Sequence, residues 1–322
     1  MNRREFVAGG LASSIALKTA PAWAQSGPLT KIIFPFSAGG SGDMLCRQLA
    51  EHLPAALDRK FIVENRTGGD GLIGIRAVKG APSDGATILV TTGPTMYLLP
   101  MVENEPSYDS ARDFVPVSLL TRFEFVVVAS PATGAADFKQ LVAWIKANPS
   151  KASYGVPSSG TVPHFTGFQL EKTLGLTMTR VPYRGSAPII TDLIAGHLPF
   201  AVTTLADAIT QHRAGAIRIV AVSGPSRSPF LSEVPTLKEA GVDLVADGWY
   251  GMWLPAGSSP EFAKKLSVAA ANVLAKPEVR EKLNAVTLIP VGSTPEELTK
   301  ALAADTAFWQ PIVKATGYKI AN

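Results

Sequence analysis

Cysteine is almost absent from this sequence, since Cys46 is the only one among 322 residues. A single thiol cannot form an internal disulfide, and its place in a helical pattern predicts a buried structural residue. The basic residues are scattered and form no run, which excludes an extended nucleic-acid surface. After the N-terminal segment, no stretch approaches the eighteen or so apolar residues of a membrane-spanning helix. We therefore expect neither a nucleic-acid partner nor a membrane span.

Signatures of catalysis are also scarce. There is no G-x-S-x-G nucleophile elbow, and the four histidines lack the spacing of a zinc site. No lysine follows the glycines of residues 37–42, so the phosphate-binding pattern G-x-x-x-x-G-K-[ST] is missing. We expect no cofactor, no metal ion and no catalytic residues. Two carboxylates flanking a cleft, as in a hydrolase, stay open at this point.

The N-terminal residues carry the pattern of an export signal. Paired arginines at residues 3–4 precede an apolar stretch over residues 7–17, and residues 22–24 supply a small-residue cleavage site. The pattern predicts a twin-arginine-type signal peptide over residues 1–24, cleavage before Gln25 and a periplasmic mature protein. Removing three basic and one acidic residue from the 30 and 26 of the whole chain leaves 27 and 25. The mature charge is thus nearly balanced.

Strand-like and helix-like stretches alternate along the rest of the chain. This alternation indicates an α/β protein with mainly parallel sheets, and the length allows two domains. Several predicted helices begin with proline in the first turn, where its missing N–H is harmless. The predicted strands are residues 31–36, 61–64, 87–91, 115–120, 125–129, 217–222 and 251–254. The first predicted helix begins at about residue 43. The other predicted helices are residues 137–148, 163–174, 187–195, 260–275 and 295–309.

A glycine-rich turn joins the first predicted strand to the first predicted helix. Residues 34–43 read F-P-F-S-A-G-G-S-G-D. Such a turn presents free backbone N–H groups and the positive end of a helix, and both favour an anion. Because the lysine of a nucleotide site is missing, we expect a small anion other than a nucleotide, with a carboxylate as the first candidate.

Two further turns repeat this arrangement later in the chain. Residues 154–161 (Y-G-V-P-S-S-G-T) lead into a helix, and residues 181–188 (V-P-Y-R-G-S-A-P) follow another strand. In open α/β sheets, ligands bind beyond the carboxyl ends of strands, where such turns lie. The three turns together predict a shared cleft, although each alone could be an ordinary tight connection.

Six motifs occur in a fixed order along the chain. They are P-F-x-x-G-G-x-x-D at 35–43 with Arg47, V-E-N-[RK] with three glycines at 63–74, a P-D-G-like turn at 82–85, V-P-Y-[KR]-G-x-x-P at 181–188, V-P-T-x-x-E-x-G at 234–241 with Arg227, and W-x-G with P-A-G at 249–257. In this order they resemble the extracytoplasmic solute receptors of the tripartite tricarboxylate transporter family, also called Bug receptors. The resemblance covers essentially the whole mature chain. It departs from the family pattern at Thr67, Gly69 and Asp70, and Asp70 could alter the charge of the cleft.

The resemblance implies a two-lobed periplasmic-binding-protein fold, also called a Venus flytrap, in which each lobe is a mainly parallel sheet flanked by helices. Two crossing strands would join the lobes near residues 122–125 and 247–249. Lobe 1 would comprise residues 25–125 and 247–322, and lobe 2 would comprise residues 126–246. Closure around a ligand would be a hinge motion.

The resemblance also implies a function without chemistry. The protein would be a monomeric receptor that captures a small carboxylate between its lobes and delivers it to the membrane permease subunits of a tripartite transporter. A receptor that signals to a membrane sensor kinase and an exported hydrolase are the alternatives. Backbone N–H groups, hydroxyls and bridging water would hold the ligand. The expected ligand-binding residues are Phe36, Ser37, Gly39, Gly40, Ser41, Asp43, Thr92, Ser158, Ser159, Gly160, Thr161, His164, Tyr183, Arg184 and Thr203.

Some residues near this site have a second interpretation. Asp43 lies at a helix start, where N-capping is its default role, and His164 could cap local backbone instead of facing a ligand. Arg184 could pair with a ligand carboxylate or form an ion pair at the surface or between lobes. Trp249 and Tyr250 are expected to pack at the crossover between lobes rather than to contact ligand.

Overall fold

The computed structural model describes residues 27–320 as alternating strands and helices. The predicted signal peptide and its cleavage site before Gln25 lie outside these residues. The strands are β1 (Leu29–Phe34), β2 (Lys60–Asn65), β3 (Thr87–Thr92), β4 (Phe114–Ala129), β5 (Ser153–Val156), β6 (Thr179–Pro182), β7 (Phe200–Thr204), β8 (Arg218–Val222), β9 (Asp247–Pro255) and β10 (Ile289–Pro290). The helices are α1 (Ser41–His52), α2 (Pro54–Leu57), α3 (Leu72–Lys79), α4 (Gly93–Val102), α5 (Phe138–Ala147), α6 (Val162–Leu174), α7 (Ser186–Ala195), α8 (Leu205–Arg213), α9 (Pro260–Ala275), α10 (Pro277–Ala285) and α11 (Pro295–Thr316).

The strands form two sheets that share the long strand β4. In the first sheet, the parallel strands β2-β1-β3 continue through antiparallel β9 to the N-terminal part of β4. In the second sheet, the C-terminal part of β4 pairs antiparallel with β7 and β8, and β7-β5-β6 run parallel. Helical connections link the parallel strands, as this class of fold requires. Each sheet is the framework of one lobe, so the chain has the predicted two-lobed α/β fold.

The change from one sheet to the other takes place between two consecutive residues of β4. Glu124 pairs with Asp247 in β9, whereas Phe125 pairs with Thr204 in β7. Arg122 and Asp247 form an ion pair beside this point. The chain thus passes from one sheet to the other between Glu124 and Phe125, and the lobe boundaries that the resemblance implies stay a prediction.

Two segments predicted as separate strands are one strand. Residues 115–120 and 125–129 both belong to β4, which has 16 residues. The polar residues Arg122 and Glu124 interrupt the apolar pattern without interrupting the strand, because β9 pairs with β4 throughout this segment. The strand predicted at 251–254 likewise begins earlier, at Asp247.

The apolar core continues beneath both lobes along the C-terminal helix α11. Trp249, Phe165 and Trp309 are all buried within it, and the ring centroids of Phe165 and Trp309 lie 6.5 Å apart. Cys46 is buried in the separate core of the first lobe, as predicted, and burial raises the pKa of its thiol. Between residues 27 and 320, no helix is long and apolar enough to cross a membrane.

Candidate ligand-binding cleft

The first glycine-rich turn connects β1 to α1 and is held by a side chain of that helix. Gly39 has φ +92°, a left-handed conformation that favours glycine. Its N–H donates to Oδ2 of Asp43, four residues later, at 3.0 Å. We call this segment, residues 35–43, loop one.

Asp43 is the buried acceptor that organises loop one. Its carboxylate also accepts from Arg47 Nε at 2.8 Å and from Asn65 Nδ2 at 3.0 Å. Burial alone would raise the pKa of Asp43, but these hydrogen bonds outweigh it and the pKa is lowered. The N-capping interpretation of Asp43 is wrong, because the N-cap of α1 is Gly40 and Asp43 is the third residue of the helix.

The second turn, residues 157–161 between β5 and α6, has the same design with a neutral acceptor. We call it loop two. Gly160 has φ +73°, and its N–H donates to Nδ1 of His164 at 3.0 Å. His164 is buried against Phe165 and Tyr318, and burial, with a smaller effect of Arg180, lowers its pKa to about 4. The neutral ring thus serves local backbone, and a direct ligand contact stays a prediction.

Two adjoining cavities lie between the lobes. The central cavity, about 380 Å³, has loop two on one side and α4 on the other. The loop-one cavity, about 420 Å³, lies between loop one and the start of α8. Phe36, Thr204 and Tyr250 line both cavities and so mark the place where they meet. Both volumes fall in the usual range of small-molecule sites.

Four helices begin at these cavities without a side-chain cap: α1, α6, α7 and α8. Their first-turn N–H groups have no intrahelical acceptor, and the helix dipoles add partial positive charge. Helices α1 and α6 begin at loops one and two, and helices α7 and α8 follow β6 and β7. The cleft is therefore surrounded by neutral hydrogen-bond donors from both lobes, which suits an anion.

The structure distributes the predicted ligand-binding residues over these cavities and their supports. Ser37, Gly40 and Ser41 line the loop-one cavity, while Thr92, Ser158, Ser159, Gly160 and Thr161 line the central cavity, and Phe36 lines both. Gly39, Asp43 and His164 stand behind the two loops as described above. Loops one and two thus face two adjoining cavities rather than a single one.

Besides Gly39, Asp43 and His164, three more predicted residues line neither cavity: Tyr183, Arg184 and Thr203. The Tyr183 hydroxyl donates to Asp192 at 2.6 Å. Thr203 donates to Ser186 Oγ at 2.9 Å, so it contacts a residue that does line the central cavity. Arg184 is exposed. A role for these three residues in binding stays a prediction.

Sequence reasoning missed much of the wall. Tyr250 packs on Phe123, with ring centroids 5.2 Å apart, and it also lines both cavities, which the sequence pattern did not indicate; the expectation that it does not contact ligand stays a prediction. Burial raises the pKa of Tyr250 to about 12, which keeps the hydroxyl protonated. Ser186 and Ile320 also line the central cavity. Ser186 directly follows the V-P-Y-R-G turn, so this motif could have indicated it as a residue of the cavity wall. Nothing in the sequence pattern indicated Ile320.

A two-lobed α/β fold with ligand-sized cavities between the lobes defines the class of solute-binding proteins. The chain belongs to one family of that class: residues 45–318 match the model of the "Tripartite tricarboxylate transporter family receptor". It is 32% identical over 330 residues to a Pseudomonas sp. protein from the tcbD-tcbE intergenic region, covering 97% of this chain and 94% of the relative.

Two further proteins support this assignment. Protein BugT of Bordetella pertussis is 29% identical over 319 residues, which cover 98% of this chain and 96% of BugT. An R. palustris protein solved with adipate superposes with a TM-score of 0.80 at 29% identity, covering 90% of this chain and 97% of that one. The suspected resemblance to Bug-type receptors is thereby confirmed.

Proposed function

We propose that this protein is a periplasmic receptor that captures a small carboxylate between its lobes and delivers it to the membrane permease subunits of a tripartite tricarboxylate-type transporter. One observation carries the proposal: four uncapped helix starts surround two cavities that no lysine, arginine or histidine of the described residues lines. Neutral donors can hold a carboxylate and still release it.

In this proposal, the ligand carboxylate lies where the two cavities meet. Loop one supplies N–H groups and the hydroxyls of Ser37 and Ser41, and loop two supplies those of Ser158 and Ser159. Bridging water completes the shell. Asp43 and His164 act from behind, because each holds a glycine N–H of its loop.

The relatives support the receptor over the hydrolase. The adipate-bound R. palustris protein shows that a related cleft takes a carboxylate, and the matching family model describes receptors. Export through the twin-arginine route and a monomeric state complete the proposal, on the basis of residues 1–24 and of the family resemblance.

A thermal-shift screen of the purified mature protein tests the proposal. We expect a carboxylate from a panel that includes adipate and malate to raise the melting temperature. A ligand at about 100 times its Kd adds roughly 2.7 kcal/mol of stability. A rise with neutral sugars or cations and with no carboxylate would contradict it.

Delivery to a permease is tested in the producing cells. Deleting the receptor gene should reduce uptake of the labelled ligand, and restoring it should recover uptake. Unchanged uptake together with a lost transcriptional response to the ligand would favour the sensor-kinase partner instead.

A further inference from the structure

The central cavity has two unlike ends. At one end it shares Phe36, Thr204 and Tyr250 with the loop-one cavity. At the other end it shares Asp70, Leu99 and Ile320 with a pocket at the surface. A ligand that spans the central cavity must therefore match two different environments.

The end near the loop-one cavity offers neutral donors. Tyr250 is protonated, and Ser186 Oγ accepts from Thr203, which leaves the hydroxyl proton of Ser186 free to donate. The N-terminus of α8 starts beside them without a side-chain cap. Its one acidic group, Asp207, accepts from Thr204 Oγ1 at 2.6 Å. Asp207 lines the loop-one cavity and not the central cavity, so one carboxylate fits on the central-cavity side of this end.

One side of the central cavity is apolar. Pro94, Leu98 and Leu99 on α4 form one wall, and the rings of Phe123 and Phe125, with centroids 5.5 Å apart, form part of another. An apolar wall gives no compensating hydrogen bond to a polar group that it desolvates. A hydrocarbon ligand body therefore fits against this wall, while loop two lines the opposite side.

The far end is acidic. Asp70, an exposed residue, is the single charged side chain among the described residues that line the central cavity, and the adjoining surface pocket adds Glu103, Glu105 and one cation, Arg76. Arg76 donates to the Ser107 hydroxyl, which in turn donates to Glu103, and Lys319 donates to two main-chain carbonyls. Neither cation lines the central cavity, so within that cavity a second carboxylate would meet the like charge of Asp70 and no cation.

On the basis of the function proposed above, we infer that the ligand is a monocarboxylate with an apolar body, and that Asp70 discriminates against a second, distal carboxylate. The inference concerns ligand class only. It distinguishes this chain from a receptor that binds a dicarboxylate, such as the R. palustris relative that was solved with adipate.

Calorimetric titration with a matched set of six-carbon ligands tests the inference: hexanoate, adipate, 6-aminohexanoate and 1-hexanol. We expect hexanoate to bind at least tenfold more tightly than adipate. The variant Asp70→Asn should tighten adipate about tenfold and leave hexanoate unchanged. Asparagine is also tolerated at the left-handed φ of +53° found at Asp70. Asp243→Asn, an exposed position that lines none of these cavities, is the matched control.

Each outcome separates the two proposals. Adipate binding as tightly as hexanoate, or 6-aminohexanoate binding more tightly, overturns the inference and leaves the carboxylate receptor standing. Hexanol matching hexanoate, or no carboxylate binding at all, overturns the proposed function itself. If the Asp70→Asn variant keeps the full preference for hexanoate, Asp70 is not the cause of that preference.

Discussion

Loops one and two place a glycine with positive φ four residues before the side chain that accepts its N–H. In loop one that acceptor is the Asp43 carboxylate, which forms an ion pair with Arg47 and accepts a hydrogen bond from Asn65. In loop two it is the neutral His164 ring, packed between aromatic neighbours. The same backbone geometry is thus obtained with a charged and with an uncharged group. The comparison teaches that the loop geometry does not depend on the charge of the supporting side chain. The effect of pH on the stability of each loop does depend on that charge.

The largest effect is expected from the charged support. Asp43→Ala leaves the Gly39 and Asn65 donors without their acceptor and should lower the free energy of unfolding by about 2–3 kcal/mol. Urea unfolding at pH 7 measures it. Asp243→Ala, whose side chain is 94% exposed, is the control and should stay within about 0.5 kcal/mol of the wild type. Equal losses in both variants would show that Asp43 does not organise loop one.

His164, the uncharged support of loop two, should contribute less to the free energy of unfolding than Asp43 does. His164→Ala removes a ring that packs on Phe165 and Tyr318 and leaves the Gly160 N–H without its acceptor. We expect a loss of about 1–2 kcal/mol in the same measurement. His197→Ala, with a side chain that is 75% exposed, serves as the control. A loss larger than that of Asp43→Ala would reverse the ranking of the two supports.

The two loops also show how far sequence reasoning reaches. Glycines and hydroxyls between a strand and a helix have a local cause, so both loops and the helices behind them could be predicted. The walls depend on distant segments that only the topology brings together. Tyr250 comes from β9 and Ile320 from the end of the chain, where its N–H donates to Val102 at 2.8 Å. The split into two cavities could not be predicted for the same reason.

Lowering the pH should change the stability contribution of His164 but not that of Asp43. The pKa of His164 is depressed to about 4, so the stability it contributes is complete above its unfolded pKa near 6.5 and is lost as pH falls toward 4. The deficit of His164→Ala should therefore shrink by about 1 kcal/mol between pH 6.5 and 5.5. The pKa of Asp43 is lowered from an already acidic value, so the deficit of Asp43→Ala should stay constant over this range. Unfolding curves at both pH values check this, and a shrinking Asp43 deficit would contradict it.

The smallest effect on stability, and the sharpest on function, is expected at Gly40. Its φ of −82° suits proline, a Cβ there would meet open space, and Gly39 before it has no Cβ to clash with the ring. Gly40→Pro and Gly40→Ala should both unfold within about 0.5 kcal/mol of the wild type.

The two Gly40 variants differ in one polar group, because only proline removes the backbone N–H of this residue, which lines the loop-one cavity. If loop one anchors the carboxylate, Gly40→Pro should weaken binding about tenfold, equivalent to about 1.4 kcal/mol, while Gly40→Ala binds like the wild type. Titration of all three proteins with the same carboxylate measures this. Equal affinities would mean that loop two and the central cavity hold the ligand without loop one, and the symmetry of the two loops would then be structural rather than functional.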